Sequence, residues 1–273
     1  MITNIQPIYS RIKQYEFNVD DNSIFEQRIL NLEKAINESV KEISEQFKNE
    51  VHIGFSGGVD SALILSKIVQ YGFPVIAHTM GNTKNHPDIV HAQKYVHYLQ
   101  NGGANITHTL HITSFNQKDI ESSNSVLKTD STRPDNYFMI MKELKSHAPQ
   151  IICCDVIDEL MGGYYAHQNP QNLPIFNPNK SHEENRLSAL QFLLEKLIPN
   201  HLSVLDKFSD YFEIPVFLPY ASQAIFDNCN FGVNELVDET QRKKPIYQLA
   251  EKNEVISPIL KRKKLGLVDA LSY

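Results

Sequence analysis

Val51-His52-Ile53-Gly54-Phe55-Ser56-Gly57-Gly58-Val59-Asp60-Ser61-Ala62-Leu63-Ile64-Leu65 is the stretch on which the fold turns. A short apolar run ends in Ser-Gly-Gly-Val-Asp-Ser, and an apolar helical pattern follows at once. Such an order reads as a strand, a tight loop and a helix N-terminus. Gly57 and Gly58 let the backbone turn sharply and approach an anion closely. The first N–H groups of the helix have no partner within it and can hold phosphate oxygens. Ser56 and Ser61 add hydroxyl donors, and Asp60 adds a carboxylate able to hold Mg2+. The loop lacks the G-x-x-x-x-G-K-[ST] pattern of a Walker A motif.

Outward from this loop, strands and helices alternate. Phe25, Ile29, Leu32, Ala35, Ile36, Val40, Ile43 and Phe47 recur at three- and four-residue steps, which predicts one long amphipathic helix over Ser23 to Phe47. A helix over about 61–71 follows the loop and stops at Gly72. Pro74 to Met80 reads as a second buried strand, His86 to Gln100 as a helix, and Asn105 to Thr113 as a third strand. Pro134 to His147 reads as a helix and Gln150 to Cys154 as a fourth strand. This order predicts an α/β fold, a parallel twisted sheet with helices on both faces. Ligands of such sheets sit at the C-terminal strand ends, where the Ser56 loop and the segment after Cys154 would both lie. Residues 1–22 read as an irregular N-terminal segment, 23–168 as the α/β core, and 169–273 as a mainly helical layer of the same domain.

The 273 residues, 41% hydrophobic, suffice for one sizeable core. A net charge of −6 argues against nucleic acid as a partner. No apolar run approaches the roughly 18 residues of a membrane span. Met1-Ile2-Thr3-Asn4 lacks the basic and apolar regions of a signal peptide, so the expected location is cytoplasmic. Cys153 and Cys154 sit in an apolar run and Cys229 stands apart, which fits buried residues in a reducing compartment better than a disulfide or metal site. His86 and His91 fit no metal-ligand frame and read as cap or surface residues, and His78 and His108 read as packing residues of strands.

A second constellation follows the fourth strand, in Cys154-Asp155-Val156-Ile157-Asp158-Glu159-Leu160-Met161-Gly162-Gly163-Tyr164. Three carboxylates at a strand end repel one another unless a cation joins them. Asp158 and Glu159 would also favour a helix N-terminus. Beside the Ser56 loop on a neighbouring strand end, Asp158 is the expected second Mg2+ ligand after Asp60.

Two resemblances join here. Ser56 to Ser61 resembles the pyrophosphate loop of the N-type ATP pyrophosphatases, with their adenine nucleotide alpha hydrolase-like fold. Asp158 to Tyr164 resembles the D-E-L-F-G-G-Y segment of the synthetase domain of glutamine-hydrolysing asparagine synthetase and of β-lactam synthetase. Weaker similarities run through Thr79-Met80-Gly81, Pro87-Asp88, Leu205 to Ser209, Pro219-Tyr220, Arg242-Lys243-Lys244 and Lys263 to Leu267, so that the likeness spans about residues 25–267. It implies an ATP-dependent ligase that adenylates a carboxylic acid, releases pyrophosphate, and passes the acyl group to ammonia or an amine. Phe55, Ser56, Gly57, Gly58, Asp60, Ser61, Met80 and Cys154 would then contact ATP, and Asp60 and Asp158 would hold Mg2+. Lys244 would stabilise the transition state, while Asp155 and Glu159 would serve the catalytic proton chemistry.

The chain departs from that family in three ways. Asp155 stands where the family has Glu. The E-x-R preceding the family's P-F-L-D segment is absent, with Pro215 and Phe217 in those places and Ser222 for the final Asp. No Cys precedes Cys153 to act as a glutaminase nucleophile. The departures weigh against L-aspartate as the acid, and leave ammonia from solution, a separate glutaminase subunit, or a substrate amine as the nitrogen source. A tRNA- or nucleobase-modifying pyrophosphatase, and a non-catalytic ATP-binding subunit, remain as alternatives. Lys261-Arg262-Lys263-Lys264 reads as a solvated basic face.

Overall fold

The computed structural model describes Ile2, residues 5–17 and residues 25–260. Among the described residues, five parallel strands lie in the order β3-β2-β1-β4-β5: β1 is Val51–Gly54, β2 Val75–Gly81, β3 Ile106–Ile112, β4 Ile151–Ile152 and β5 Val216–Phe217. β1 is central, with Ile53 paired to Ala77 on one side and to Ile152 on the other. Val51, His52 and Ile53 are all buried, as a parallel strand covered on both faces must be.

Helices α1 (Ile5–Gln14) and α2 (Phe25–Ser44) precede β1. α3 (Val59–Gln70) and α4 (Pro87–Asn101) follow β1 and β2, and α5 (Gln117–Leu127) and α6 (Asn136–Leu144) fill the link from β3 to β4. Phe55, just past β1, meets Tyr95 of α4 with ring centroids 5.7 Å apart. On the other face His111 of β3 meets His147, just past α6, at 4.9 Å. Beyond β4 come α7 (Ile157–Leu160), α8 (Tyr165–Gln168), α9 (His182–Leu197), α10 (Ser203–Phe212), α11 (Gln223–Asn228), α12 (Val233–Leu236), α13 (Lys244–Glu251) and α14 (Ser257–Leu260), with β5 between α10 and α11.

The α/β reading therefore holds, with three corrections. Residues 5–14, expected to be irregular, form a helix whose Ile8 and Ile12 are buried. Pro7 falls in its first turn, where a missing N–H costs nothing. Ile2 adds a parallel bridge to Val216, and its N–H donates to Asp206 Oδ1 at 2.8 Å. α5 and β5 were not foreseen. Lys261 to Leu267, with the basic cluster and the last resemblance, lies outside the described residues.

The chain runs from β1 outward through β2 to β3, then crosses to β4 on the other side of β1. The loops leaving β1 and β4 thus diverge, opening a crevice at the topological switch point. No helix among the described residues is long and apolar enough to cross a membrane.

Candidate active site

The crevice holds a cavity of about 220 Å³ whose lining includes Phe55, Ser56, Asp60, Ser61, Met80, Cys154, Asp155, Asp158 and Glu159. Sequence-predicted residues from both constellations therefore share one space. Gly57 and Gly58 shape its loop. Gly57 has φ +70°, and a Cβ there would press on Ala92 and on the Asp88 carbonyl at 3.2 Å. Only glycine meets both demands without strain.

Gly58 is the N-cap of α3 and contributes no side chain. Its N–H donates to Ser56 Oγ (3.3 Å), which lies 3.2 Å from Ser61 Oγ. Two hydroxyls and the first N–H groups of a twelve-residue helix thus converge at one point, the arrangement that favours a phosphate. Thr79 Oγ1 donates to the Phe55 carbonyl at 2.7 Å and ties the end of β2 to the loop. The Tyr220 hydroxyl donates to the Asp60 carbonyl at 2.9 Å and anchors the first turn from the opposite side.

On the β4 side, Val156 adopts φ +84°. A β-branched residue in this region is a strained outlier of the kind that collects at functional sites. Asp155 precedes it and accepts a 2.5 Å hydrogen bond from the Tyr137 hydroxyl. Burial raises the Asp155 pKa, and the Tyr137 bond opposes that rise. Glu159 is 2% exposed and accepts from the Tyr164 hydroxyl at 2.7 Å. Burial pushes its pKa to about 7, against the Tyr164 bond and with help from the Asp158 charge. A carboxyl poised there can take and return a proton at neutral pH.

The lysine differs from expectation. Lys244 Nζ donates to the Asn234 carbonyl and to Asp238 Oδ2, both at 2.8 Å, away from the cavity. Its neighbour Lys243 reaches between the two predicted metal ligands, with Nζ 2.7 Å from Asp60 Oδ2 and 2.5 Å from Asp158 Oδ1. The backbone explains the exchange. Lys243 is the N-cap of α13 in the left-handed region (φ +53°), while Lys244 is already helical. Burial disfavours charge on Lys243, yet the carboxylates of Asp60 and Asp158 outweigh it and hold the pKa above the ordinary lysine value.

Sequence reasoning named Tyr164 and Tyr220 only within the resemblance, without a role, and did not single out Tyr137 or His167. His167 is fully buried, and its Nδ1 accepts the Tyr164 N–H at 3.0 Å, so its neutral ring carries the proton on Nε2. Burial lowers its pKa to about 3. Gly163 lies within the Asp158–Tyr164 resemblance, and a Cβ there would overlap both Asp158 Oδ1 and Lys243 Cε.

The histidines fare in two ways. His86 is a cap, as read: its Nδ1 accepts the Asp88 N–H at 3.2 Å. His78 does more than pack. His52, His78 and His111 stand side by side on β1, β2 and β3, with N···N distances of 3.0 and 2.9 Å and rings stacked at 5.2 Å. His78 lines the cavity. None of the three cysteines is in a disulfide, and the described residues contain no cluster of three or more metal-type ligands.

Compared with known proteins, the chain matches no protein-family model and no curated protein sequence.

Proposed function

We propose that the protein is an ATP-dependent carbon–nitrogen ligase that adenylates a carboxylic acid and transfers the acyl group to ammonia or an amine. The observation that carries this reading is the convergence of the Ser56–Ser61 loop and the Asp155–Glu159 segment on one cavity at the switch point of a parallel sheet, with Lys243 joining Asp60 to Asp158 behind its lining. A phosphate-binding turn, a pair of aspartates and a lysine are what cleavage between the α- and β-phosphates demands.

The donor set suits Mg2+: two carboxylates from separate elements approach one point, and such ions take one or two carboxylates plus phosphate oxygens. When bound, Mg2+ would neutralise charge on the departing pyrophosphate. The protein's own groups supply the rest. Ser56, Ser61 and the first-turn N–H groups of α3 hold phosphate oxygens. Met80 and Ile89 give the nucleotide base an apolar wall. Lys243, in place of Lys244, supplies the positive charge. Glu159 takes the proton lost by the attacking nitrogen, held in position by Tyr164, while Tyr137 fixes Asp155 beside it.

The lining also bears on the acid. Asp60, Asp88, Asp155, Asp158 and Glu159 contribute carboxylates, and none of the described lining residues is Lys or Arg. A substrate with a second free carboxylate would meet repulsion there. This supports an acid with an apolar or cationic remainder over L-aspartate.

The test is release of AMP and pyrophosphate from ATP-Mg2+ with a panel of carboxylic acids, with ammonium or amines as acceptors and mass spectrometry of the amide. AMP, pyrophosphate and amide in equal amounts support the reading. ATP binding without pyrophosphate release with any acid refutes it and favours a non-catalytic nucleotide-binding role.

A further inference from the structure

Lys243 holds an unusual place for a catalytic lysine. It is not aimed into open cavity. Its ammonium is bonded to one oxygen of Asp60 from α3 and one of Asp158 from α7. The Lys243 and Asp60 side chains are 8% and 7% exposed and Asp158 is 33% exposed, so the cluster opens to the cavity at Asp158. Gly163 packs against this pair so closely that an added methyl group would force the Asp158 and Lys243 side chains to shift. The Arg242 guanidinium donates to the Gly163 carbonyl at 2.8 Å and pins the chain just before Lys243. The backbone is therefore fixed while the four-carbon lysine stem keeps its rotatable bonds.

Two aspartates from separate segments closing on one compact cation is the arrangement a divalent ion would use, at about 2.1 Å per oxygen for Mg2+. The ammonium and a divalent ion cannot share these oxygens: their repulsion at such range would be large. We propose that Lys243 is a counter-ion latch. Its ammonium lies where a divalent cation held by Asp60 and Asp158 would sit, and such an ion would have to displace it. The proposal rests on the reading of Asp60 and Asp158 as metal ligands. It adds that metal and lysine compete for one place, so that a bound metal would free the lysine from the aspartate pair.

Competition predicts a sign that a supporting role would not. Removing a catalytic lysine should tighten metal binding. Lys243→Met keeps the length and removes the charge. Mn2+ binding to the nucleotide-free protein, followed by electron paramagnetic resonance, should be at least tenfold tighter in Lys243→Met than in wild type. Adding Asp158→Asn should abolish the gain and so locate it. Should Lys243→Met fold poorly without metal, Lys243→Gln keeps a neutral donor, and the rise in Tm with Mn2+ should again exceed that of wild type. Equal or weaker Mn2+ binding in both variants overturns the latch. If that result accompanies pyrophosphate release by wild type, the ligase reading survives and the latch alone is lost. Failure of every form to bind Mn2+, with or without ATP, overturns the latch and the metal reading together.

Discussion

Acidification from pH 7 to pH 5 should destabilise the protein through histidines that the fold keeps neutral, and His78 allows that effect to be isolated. It is 2% exposed, and both its ring nitrogens are engaged, by His52 at 3.0 Å and His111 at 2.9 Å. Burial, reinforced by the neighbouring imidazoles, lowers its pKa from 6.5 to about 3. The unfolded chain protonates this residue as pH falls through 6.5, and the folded chain does not. Stability is therefore complete above pH 6.5 and declines toward pH 3. At pH 5 the cost is about 1.5 pH units at 1.36 kcal/mol each, or about 2 kcal/mol. His167, lowered to about 3 chiefly by burial, acts in the same way, and burial moves His52 and His111 in the same direction.

Glu159 works in the opposite sense. Its folded pKa of about 7 exceeds the ordinary 4.5, so its ionisation costs stability at pH 7 and acidification to pH 5 returns about 2 kcal/mol. Asp135 and Asp155, also raised by burial, share that direction. The total slope is thus a balance, and the informative quantity is a difference between two proteins. His78→Gln will be less stable at pH 7, because two buried N···N bonds are disturbed. Its further loss from pH 7 to pH 5 should be smaller than that of wild type by about 2 kcal/mol, or roughly 4–8 °C in Tm for a chain of this size. Calorimetry of both proteins at half-unit intervals measures it. Parallel Tm-against-pH curves would refute a neutral His78 and the row it belongs to.

Three further outcomes follow from the site. Lys243→Ala should reduce pyrophosphate release a hundredfold or more, whereas Lys244→Ala, which removes a partly exposed pair with Asp238, should change turnover less than threefold and stability by at most about 1 kcal/mol. If Glu159 is the base, the rate of amide formation should rise with pH through about 7. Glu159→Gln should lose that limb with a fall of about 10²–10⁴, and Tyr164→Phe, by removing the bond that lowers the Glu159 pKa, should move the limb to higher pH. Gly163→Ala should lower Tm and abolish Mn2+ binding at Asp60 and Asp158, because its methyl group overlaps Asp158 and Lys243. A folded Gly163→Ala protein with wild-type metal affinity would contradict the packing described.

The sheet was legible because its signals are local: an apolar run, a Gly-Gly turn and a helical pattern lie consecutively in Val51–Leu65. α5 escaped because its buried residues are Asp119 and Ser123, which carry no apolar periodicity. β5 escaped because its two residues, Val216 and Phe217, are too few to alternate. The residue types of the candidate site were legible too, but their division of labour was not, and the reason is backbone conformation. Glu159 meets Tyr164 across a turn in which Gly162 has φ +66°, a pairing that no helical or strand spacing gives. The histidine row needs the register of three strands at once. Lys243 and Lys244 are chemically identical and adjacent, so composition cannot choose between them. One residue in the left-handed region directs the first side chain into the aspartate pair and leaves the second on the outer face of α13. Val156 plays the same part after β4: its strained φ turns the chain between Asp155 and α7, so that Asp155, Asp158 and Glu159 line one cavity. Strain of this kind costs about 1–3 kcal/mol per residue. Positive φ also ends α5 at Lys128 and α10 at Glu213, but at Val156 and Lys243 it sets which carboxylates and which lysine face one another, and such places are invisible to any reading of residue types and their spacing.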